Sequence, residues 1–577
     1  MSETPLWFGP AERPLFGWVH APSKGLASRA VVLCPPLARE LTNSHYPYRV
    51  LARQLAEAGM LVVRFDYDGT GDSAGGDSDP DRVEAWLSSI GQAVGVARRA
   101  GLSSVSLVGL RIGALLAAVT AARLGSIDRV VLWDPCRSAR SFVREQAMLQ
   151  KVVLDGHQVD RSGTELPGCV LSDDTVAELG SLTVPVPDHG PNRVLLLTRP
   201  GRSTGDELAD ALGAETYRAP AIGQDRLLDV DLLVREAPSE TIGIIVSWLA
   251  AVPSKALPFS VPESRSGSWS VGGSIVTERA VDLGPTGLFG IVTEPVTGPR
   301  GPTIVMLNSG NNYHVGPNRL WVDLARRWAS TGFRCVRMDE SGLGDSPTRP
   351  GLEPQVIWAP ETFDDLDEAR DVLEPDDPGN FVLVGLCSGG YQALEDALRR
   401  PVRAVYAINP SLHFTPPELA NGPMDPRRRI CWPTSNLAAA YRKLAIEPVR
   451  RRLCKLAWRF AGFRNRHRKP SDWLDQLRTE GVEVLIIAGE EEARPFAPVG
   501  GRPSSPDDHD PICIEVIEAL DHALMPLWQR RNAAERMTAH LLAHFGEPGS
   551  RVPTSSGVRD RHGAPASNRP AETMATR

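Results

Sequence analysis

The chain repeats itself over a long range. Leu15-Phe16-Gly17-Trp18-Val19 returns 273 residues later as Leu288-Phe289-Gly290-Ile291-Val292. Phe65-Asp66-Tyr67-Asp68-Gly69-Thr70-Gly71-Asp72-Ser73 returns at the same displacement of 273 as Met338-Asp339-Glu340-Ser341-Gly342-Leu343-Gly344-Asp345-Ser346. Val108-Gly109-Leu110-Arg111-Ile112-Gly113 matches Val384-Gly385-Leu386-Cys387-Ser388-Gly389 after 276 residues, and Asp134-Pro135 matches Asn409-Pro410 after 275. Matches in the same order at nearly constant spacing predict one fold written twice, a tandem duplication.

Within a copy, apolar strand-like runs alternate with amphipathic helical ones: Ala30–Cys34, Tyr48–Ala58, Leu61–Phe65, Val83–Ala100, Val105–Val108, Ala114–Leu124 and Val130–Trp133. Such alternation calls for an α/β fold, a mostly parallel sheet with helices on both faces. Function in these sheets gathers at the carboxyl ends of the strands. A chain of 577 residues is also too long for one core. The expected division is a first domain over 1–250, a Ser/Pro/Gly-rich linker over 251–273, a second domain over 274–548, and a disordered tail over 549–577.

In the second copy the apolar run Phe381–Val384 breaks into Gly385-Leu386-Cys387-Ser388-Gly389-Gly390 and then into a helical pattern. Strand, sharp turn and helix place Cys387 at the nucleophile position of G-x-Nu-x-G. The flanking Gly385 and Gly389 are needed because the elbow holds its central residue at positive φ with the helix packed close behind. The start of that helix favours negative charge, which suits a thiolate. A free cysteine is more often a small buried hydrophobe, so the motif needs support from elsewhere in the chain. Ser388 is an alternative nucleophile only if the frame shifts to L-C-S-G-G and loses its first glycine.

The order of apolar strand, D-x-x-G-x-G-D-S turn, elbow, late acidic cluster and Asp-His before a closing helix resembles the α/β-hydrolase superfamily. Both copies are similar to its serine-aminopeptidase-like and dienelactone-hydrolase-like branches, and the first also to hydrolases associated with bacterial polysaccharide export. The resemblance implies a triad in the order nucleophile, acid, histidine. The acid would come from Gly489-Glu490-Glu491-Glu492 after the strand Val482–Ala488, with family spacing favouring Glu492 over Glu490 and the choice among Glu490, Glu491 and Glu492 left open. The histidine would be His522, in Ala519-Leu520-Asp521-His522 before the helix Ala533–Phe545. His522 would take the thiol proton and return it to a leaving group, with the acid orienting it. The bland alternatives are solvated loop carboxylates and a structural histidine. An oxyanion hole would use the N–H of Ser388 and one from Asn308-Ser309-Gly310-Asn311-Asn312. The implied substrate is an ester, lactone or thioester; hydrolysis and acyl transfer both stay open, and no cofactor or metal is expected.

In the first copy Arg111 stands at the place of Cys387, Asp225-Arg226 opposite Asp521-His522, and Arg199-Pro200-Gly201-Arg202 in place of the acidic cluster. A guanidinium is always protonated and cannot attack, so this copy reads as a pseudoenzyme domain. Arg111 and Arg226 are candidates for binding a carboxylate or phosphate. The alternative for Arg111 is an ion pair with Asp66 or Asp68.

An insertion at about 411–480 is expected to be a helical lid. From Arg427 to Lys469 it carries fourteen basic residues against Glu447 alone, interleaved with aromatic and aliphatic ones. That pattern suits an anionic acyl carrier, such as coenzyme A or a phosphopantetheine arm, or an anionic membrane surface, or a solvated outer face. A net charge of −7 argues against nucleic acid. Eight cysteines without C-x-x-C spacing give neither a disulfide framework nor a zinc pattern and fit a reducing cytoplasm. Met1-Ser2-Glu3-Thr4 opens no signal peptide, and the apolar Leu107–Ala122 carries Arg111 and reads as a buried helix instead of a membrane span. The rival functional class is a non-catalytic interaction protein that binds an anionic partner.

Overall fold

The structure is a computed structural model that describes residues 1–577 except 155–162, 203, 228–235, 252–254, 262–263, 358, 360, 375, 412–469, 500–509 and 547–577. It contains two large, mostly parallel mixed sheets, one of eight and one of nine strands. The first is built in chain order from Ser2–Phe8, Leu15–Ala21, Ala30–Cys34, Leu61–Phe65, Val105–Leu110, Arg129–Trp133, Arg193–Thr198 and Glu215–Pro220, and across the sheet these lie in the order 1-2-4-3-5-6-7-8. Leu15–Ala21 runs antiparallel to both of its neighbours; the rest are parallel.

The second sheet starts from an extra edge strand, Ser266–Val271. It continues with Ser274–Leu283, Leu288–Pro295, Thr303–Met306, Cys335–Met338, Phe381–Leu386, Ala404–Ile408, Glu483–Ala488 and Ile512–Val516. Without the edge strand, its order and strand directions repeat those of the first sheet.

Alternation along each strand feeds two cores. Val31 and Leu33 point to the face covered by the helices Arg39–Glu57 and Ser239–Ala250, and Val32 and Cys34 to the face covered by Arg82–Arg99 and Ile112–Leu124. In the second sheet Ile304 and Met306 meet the helices Leu320–Ser330 and Leu527–Phe545, while Val305 and Leu307 meet Thr362–Leu373 and Ser388–Ala397. Burial on both faces is why the central strands read as continuous apolar runs.

The two sheets join through an interface in which corresponding residues exchange roles. Phe16 stacks on Phe289 with ring centroids 6.4 Å apart, inside a cluster with Trp7, Trp18 and Trp269. Arg64 pairs with Asp345 while Arg337 pairs with Asp72. Arg49 donates to the Ser346 carbonyl (2.9 Å), and Arg326, one turn further along the matching helix, donates to that of Ser73 (3.1 Å). This reciprocity is the signature of a two-fold, self-complementary interface, here within one chain.

Two expected boundaries look different in three dimensions. The stretch 251–273, read as a linker, carries Leu257–Pro258, which pairs with Leu26–Ala27, and the edge strand Ser266–Val271. Trp269 is the reason: it is buried against the interface cluster and lies under the Arg326 guanidinium. The basic segment of the expected lid lies outside the described residues, and Pro470–Thr479, at its end, is a body helix that buries Trp473, Leu474 and Leu477. The expected tail lies outside them as well.

Candidate active site

Cys387 directly follows the fully buried strand Phe381–Leu386 and immediately precedes the helix Ser388–Ala397, at φ 57° and ψ −113°. Its N–H donates to the Ile408 carbonyl (3.0 Å), which locks the turn to the next strand. The glycines around it are steric necessities. A Cβ on Gly385 would lie 2.1 Å from the Gly389 carbonyl carbon, and one on Gly389 would lie 2.4 Å from the Asn308 oxygen. The elbow expected from the sequence is therefore formed, with the partly exposed Cys387 at its apex.

Two chain-distant groups converge on that apex. His522 lies in the loop ahead of the last helix, Leu527–Phe545, and the Cys387 side chain is within its hydrogen-bonding reach. Its Nδ1 lies 3.6 Å from Glu492 Oε1, an ion-pair contact longer than a hydrogen bond. Desolvation by the surrounding protein works against a charge on His522, whose side chain still keeps 44% of its surface exposed, but contact with Cys387 and Glu492 outweighs it and pushes its pKa up to about 10. Glu492 sits in the short helix Glu490–Ala493; Glu490 and Glu491, on the same turn, are exposed to solvent. Of the three glutamates, Glu492 is the one brought to the histidine.

Residues not singled out in the sequence hold this arrangement together. Asn409, at the end of the strand Ala404–Ile408, accepts from the Gly489 N–H (3.0 Å) and donates to the carbonyls of Asp521 and His522 (both 3.3 Å). One carboxamide thus ties the acid's turn to the histidine's loop. Asp521 accepts from Ala523 N (3.1 Å) and Met525 N (2.9 Å), which shapes the loop that presents His522. The repeat match of Asn409-Pro410 with Asp134-Pro135 marked the position without revealing the role.

The expected oxyanion loop is mostly occupied with its own construction. Asn308 is buried, donating to Asn312 O and Asp339 (both 2.9 Å) and accepting from Glu340 N (2.7 Å). Gly310 N donates to Ser388 Oγ (2.9 Å), and Ser309 is buried. That bond turns the Ser388 hydroxyl into the loop, a placement that disfavours it as a nucleophile. The Ser388 N–H opens a helix and so belongs to the group of amides without an intrahelical acceptor. It is the one beside Cys387. The loop itself is pinned by His314, whose Nδ1 meets Asp339 and whose Nε2 meets Asp72 of the first sheet's unit, each at 2.7 Å.

In the first unit Arg111 occupies an elbow of the same shape, φ 56° and ψ −120°, with its N–H on the Trp133 carbonyl (3.0 Å). Its buried guanidinium does not reach Asp66 or Asp68 as a partner. It meets Glu40 (3.2 Å), Glu145 (2.7 Å) and Asp134 (3.6 Å), while Arg199 also holds Asp134 (3.0 Å). Three carboxylates around one cation account for its charge internally, against the anion-binding reading. Arg226 lies in the helix Gln224–Leu227, and its side chain is outside what is described.

No protein-family model matches the sequence, and no curated protein matches it. Solved α/β-hydrolase structures are similar in fold over somewhat less than half the chain. Est1E from Butyrivibrio proteoclasticus is 12% identical with a TM-score of 0.30, covering 43% of this chain and 98% of that one. Dienelactone hydrolase from Anabaena variabilis is 12% identical with a TM-score of 0.29, covering 49% and 99%. An esterase from Pyrobaculum calidifontis is 19% identical with a TM-score of 0.28, covering 43% and 83%. Among the described residues no helix is long and apolar enough to cross a membrane.

Proposed function

We propose that the second half of the chain, about 274–548, is a hydrolase or acyltransferase that acts on ester, lactone or thioester bonds through Cys387, with His522 as base and Glu492 as its orienting acid. The observation that carries this reading is the convergence of an elbow cysteine, a histidine and a glutamate from three separate loops at the ends of the strands. With the thiol proton already held on His522, Cys387 Sγ attacks the acyl carbonyl and the tetrahedral oxyanion takes the Ser388 N–H. As the bond to the leaving group breaks, His522 returns the proton to it and a thioester remains on Cys387. Water or another acceptor, deprotonated by His522, then attacks that thioester and regenerates the thiol.

We infer further that the first half, about 1–250, is a duplicated copy without chemistry of its own. The repeated strand order, the reciprocal interface and the arginine at its elbow support this. The substrate is a small acyl compound, carrier-linked where the basic segment 427–469 takes part. The test is turnover of p-nitrophenyl esters and acyl-coenzyme A thioesters by the full chain. Cys387→Ala should lower kcat/KM by about a thousandfold or more; an unchanged rate sinks the proposal.

A further inference from the structure

A cavity of about 320 Å³ lies where the two units meet, and Cys387 is not among its walls. Leu37, Trp86, Phe142 and Leu166 form its apolar side in the first unit, and Leu320 and Leu324 in the second. Its size and its place between domains are those of small-molecule sites. Its charged walls are six arginines against three aspartates.

The polar chemistry of these walls is one-sided. Arg530 is buried, and its Nη1 donates to Gly168 O (3.2 Å) and Asn318 O (3.0 Å), which fixes the guanidinium at the seam. Among the described residues its Nε and Nη2 have no hydrogen-bond partner; neither does Nε1 of the buried Trp86, nor Nε of Arg327. The three aspartates are already engaged: Asp68 by Arg13 and Arg82, Asp77 by the Val170 N–H (3.1 Å), Asp323 by Arg319 (3.4 Å). Buried donors left without acceptors are costly, and donors alone suit a ligand head that only accepts.

We propose that this cavity binds an amphipathic anion, a carboxylate or phosphate monoester head on an apolar body, at a site separate from the Cys387 centre. The head meets Arg530, Arg327 and the Trp86 N–H, and the body lies along the leucines and Phe142. A neutral alcohol of the same length fills the apolar part but leaves those donors unmet.

Calorimetric titration of the full chain with octanoate, octyl phosphate and octan-1-ol tests this. The expected result is one site per chain for at least one anion, with the alcohol about tenfold weaker or worse, the size of a lost charge-assisted bond. The tighter of the two anions identifies the head. Cys387→Ala should bind the anion as the wild type does, which separates this site from the proposed catalytic one. Arg530→Met should weaken the anion about tenfold and leave the alcohol unchanged. Should that variant fail to fold, Trp86→Phe, which keeps the ring and removes only the donor, should weaken the anion severalfold. Equal binding of anion and alcohol overturns the proposal. So does no anion binding at millimolar concentration, loss of binding in Cys387→Ala, or unchanged anion affinity in a folded Arg530→Met or Trp86→Phe.

Discussion

At the scale of single residues, the environment of His522 makes the most specific demands. If its proton is held up to about pH 10 by Cys387 and Glu492, activity should fall as pH rises through about 10, because neutral His522 has no proton for the leaving group. A pH profile of kcat/KM checks this. Glu492→Gln should lower kcat by about 10²-fold or more, while Glu490→Gln, on an exposed side chain, should change it little. Comparable losses in both would move the acid elsewhere. The positions of Cys387 and His522 were legible in the sequence, the first through its elbow glycines and the second through the family resemblance of Asp-His before the last helix. It could not separate Glu490, Glu491 and Glu492 on residue type. Only the phase of the short helix Glu490–Ala493 turns one of them inward. Asn409 was invisible for a related reason, since its three bonds go to backbone atoms 80 to 113 residues away.

At the scale of elements, the elbow and its loop act as one piece. Gly385→Ala should destabilise the second unit and abolish turnover together, since the added carbon would meet the helix backbone at 2.1 Å. Thermal melting and activity on the same samples check that. The strands and helices were legible because apolar runs and helical periodicity are set by burial on two sheet faces. The edge strand Ser266–Val271 was not: serine, glycine and proline nearby read as a linker, and the weight of the single Trp269 depends on the cluster across the interface.

At the scale of the whole molecule, buried reciprocal ion pairs hold the units together. Removing one partner of such a pair leaves a charge stranded, so Asp72→Ala should cost about 3–5 kcal/mol by denaturant unfolding. Arg111→Ala should destabilise the first unit by a similar amount, about 3–5 kcal/mol, because Glu40, Asp134 and Glu145 lose their shared cation, yet kcat of the folded protein should be largely intact. His314 adds a pH signature. Burial opposes its charge, but Asp339 and Asp72 raise its pKa from 6.5 to about 10. A raised value means a contribution fully present below pH 6.5 and lost as pH climbs to about 10. The melting temperature should therefore decline over that window, and less steeply in His314→Gln. The repeat in the sequence predicted two matching units. That they would meet through the same D-x-x-G-x-G-D-S turns, each giving its last aspartate to the other's arginine, follows from long-range placement that no local pattern encodes.

The central claim is that Cys387 is a nucleophile, and peptide mapping after brief treatment of the folded chain with a thiol-directed acyl probe tests it most directly. Burial pushes the thiols of Cys34, Cys136 and Cys335 well up, that of Cys169 up to about 12, and that of Cys513 up. The account predicts label on the peptide that carries Cys387, ahead of those five, and much slower labelling there in His522→Ala. Label on Ser388 instead, or none at Cys387 while the protein remains folded, would contradict it.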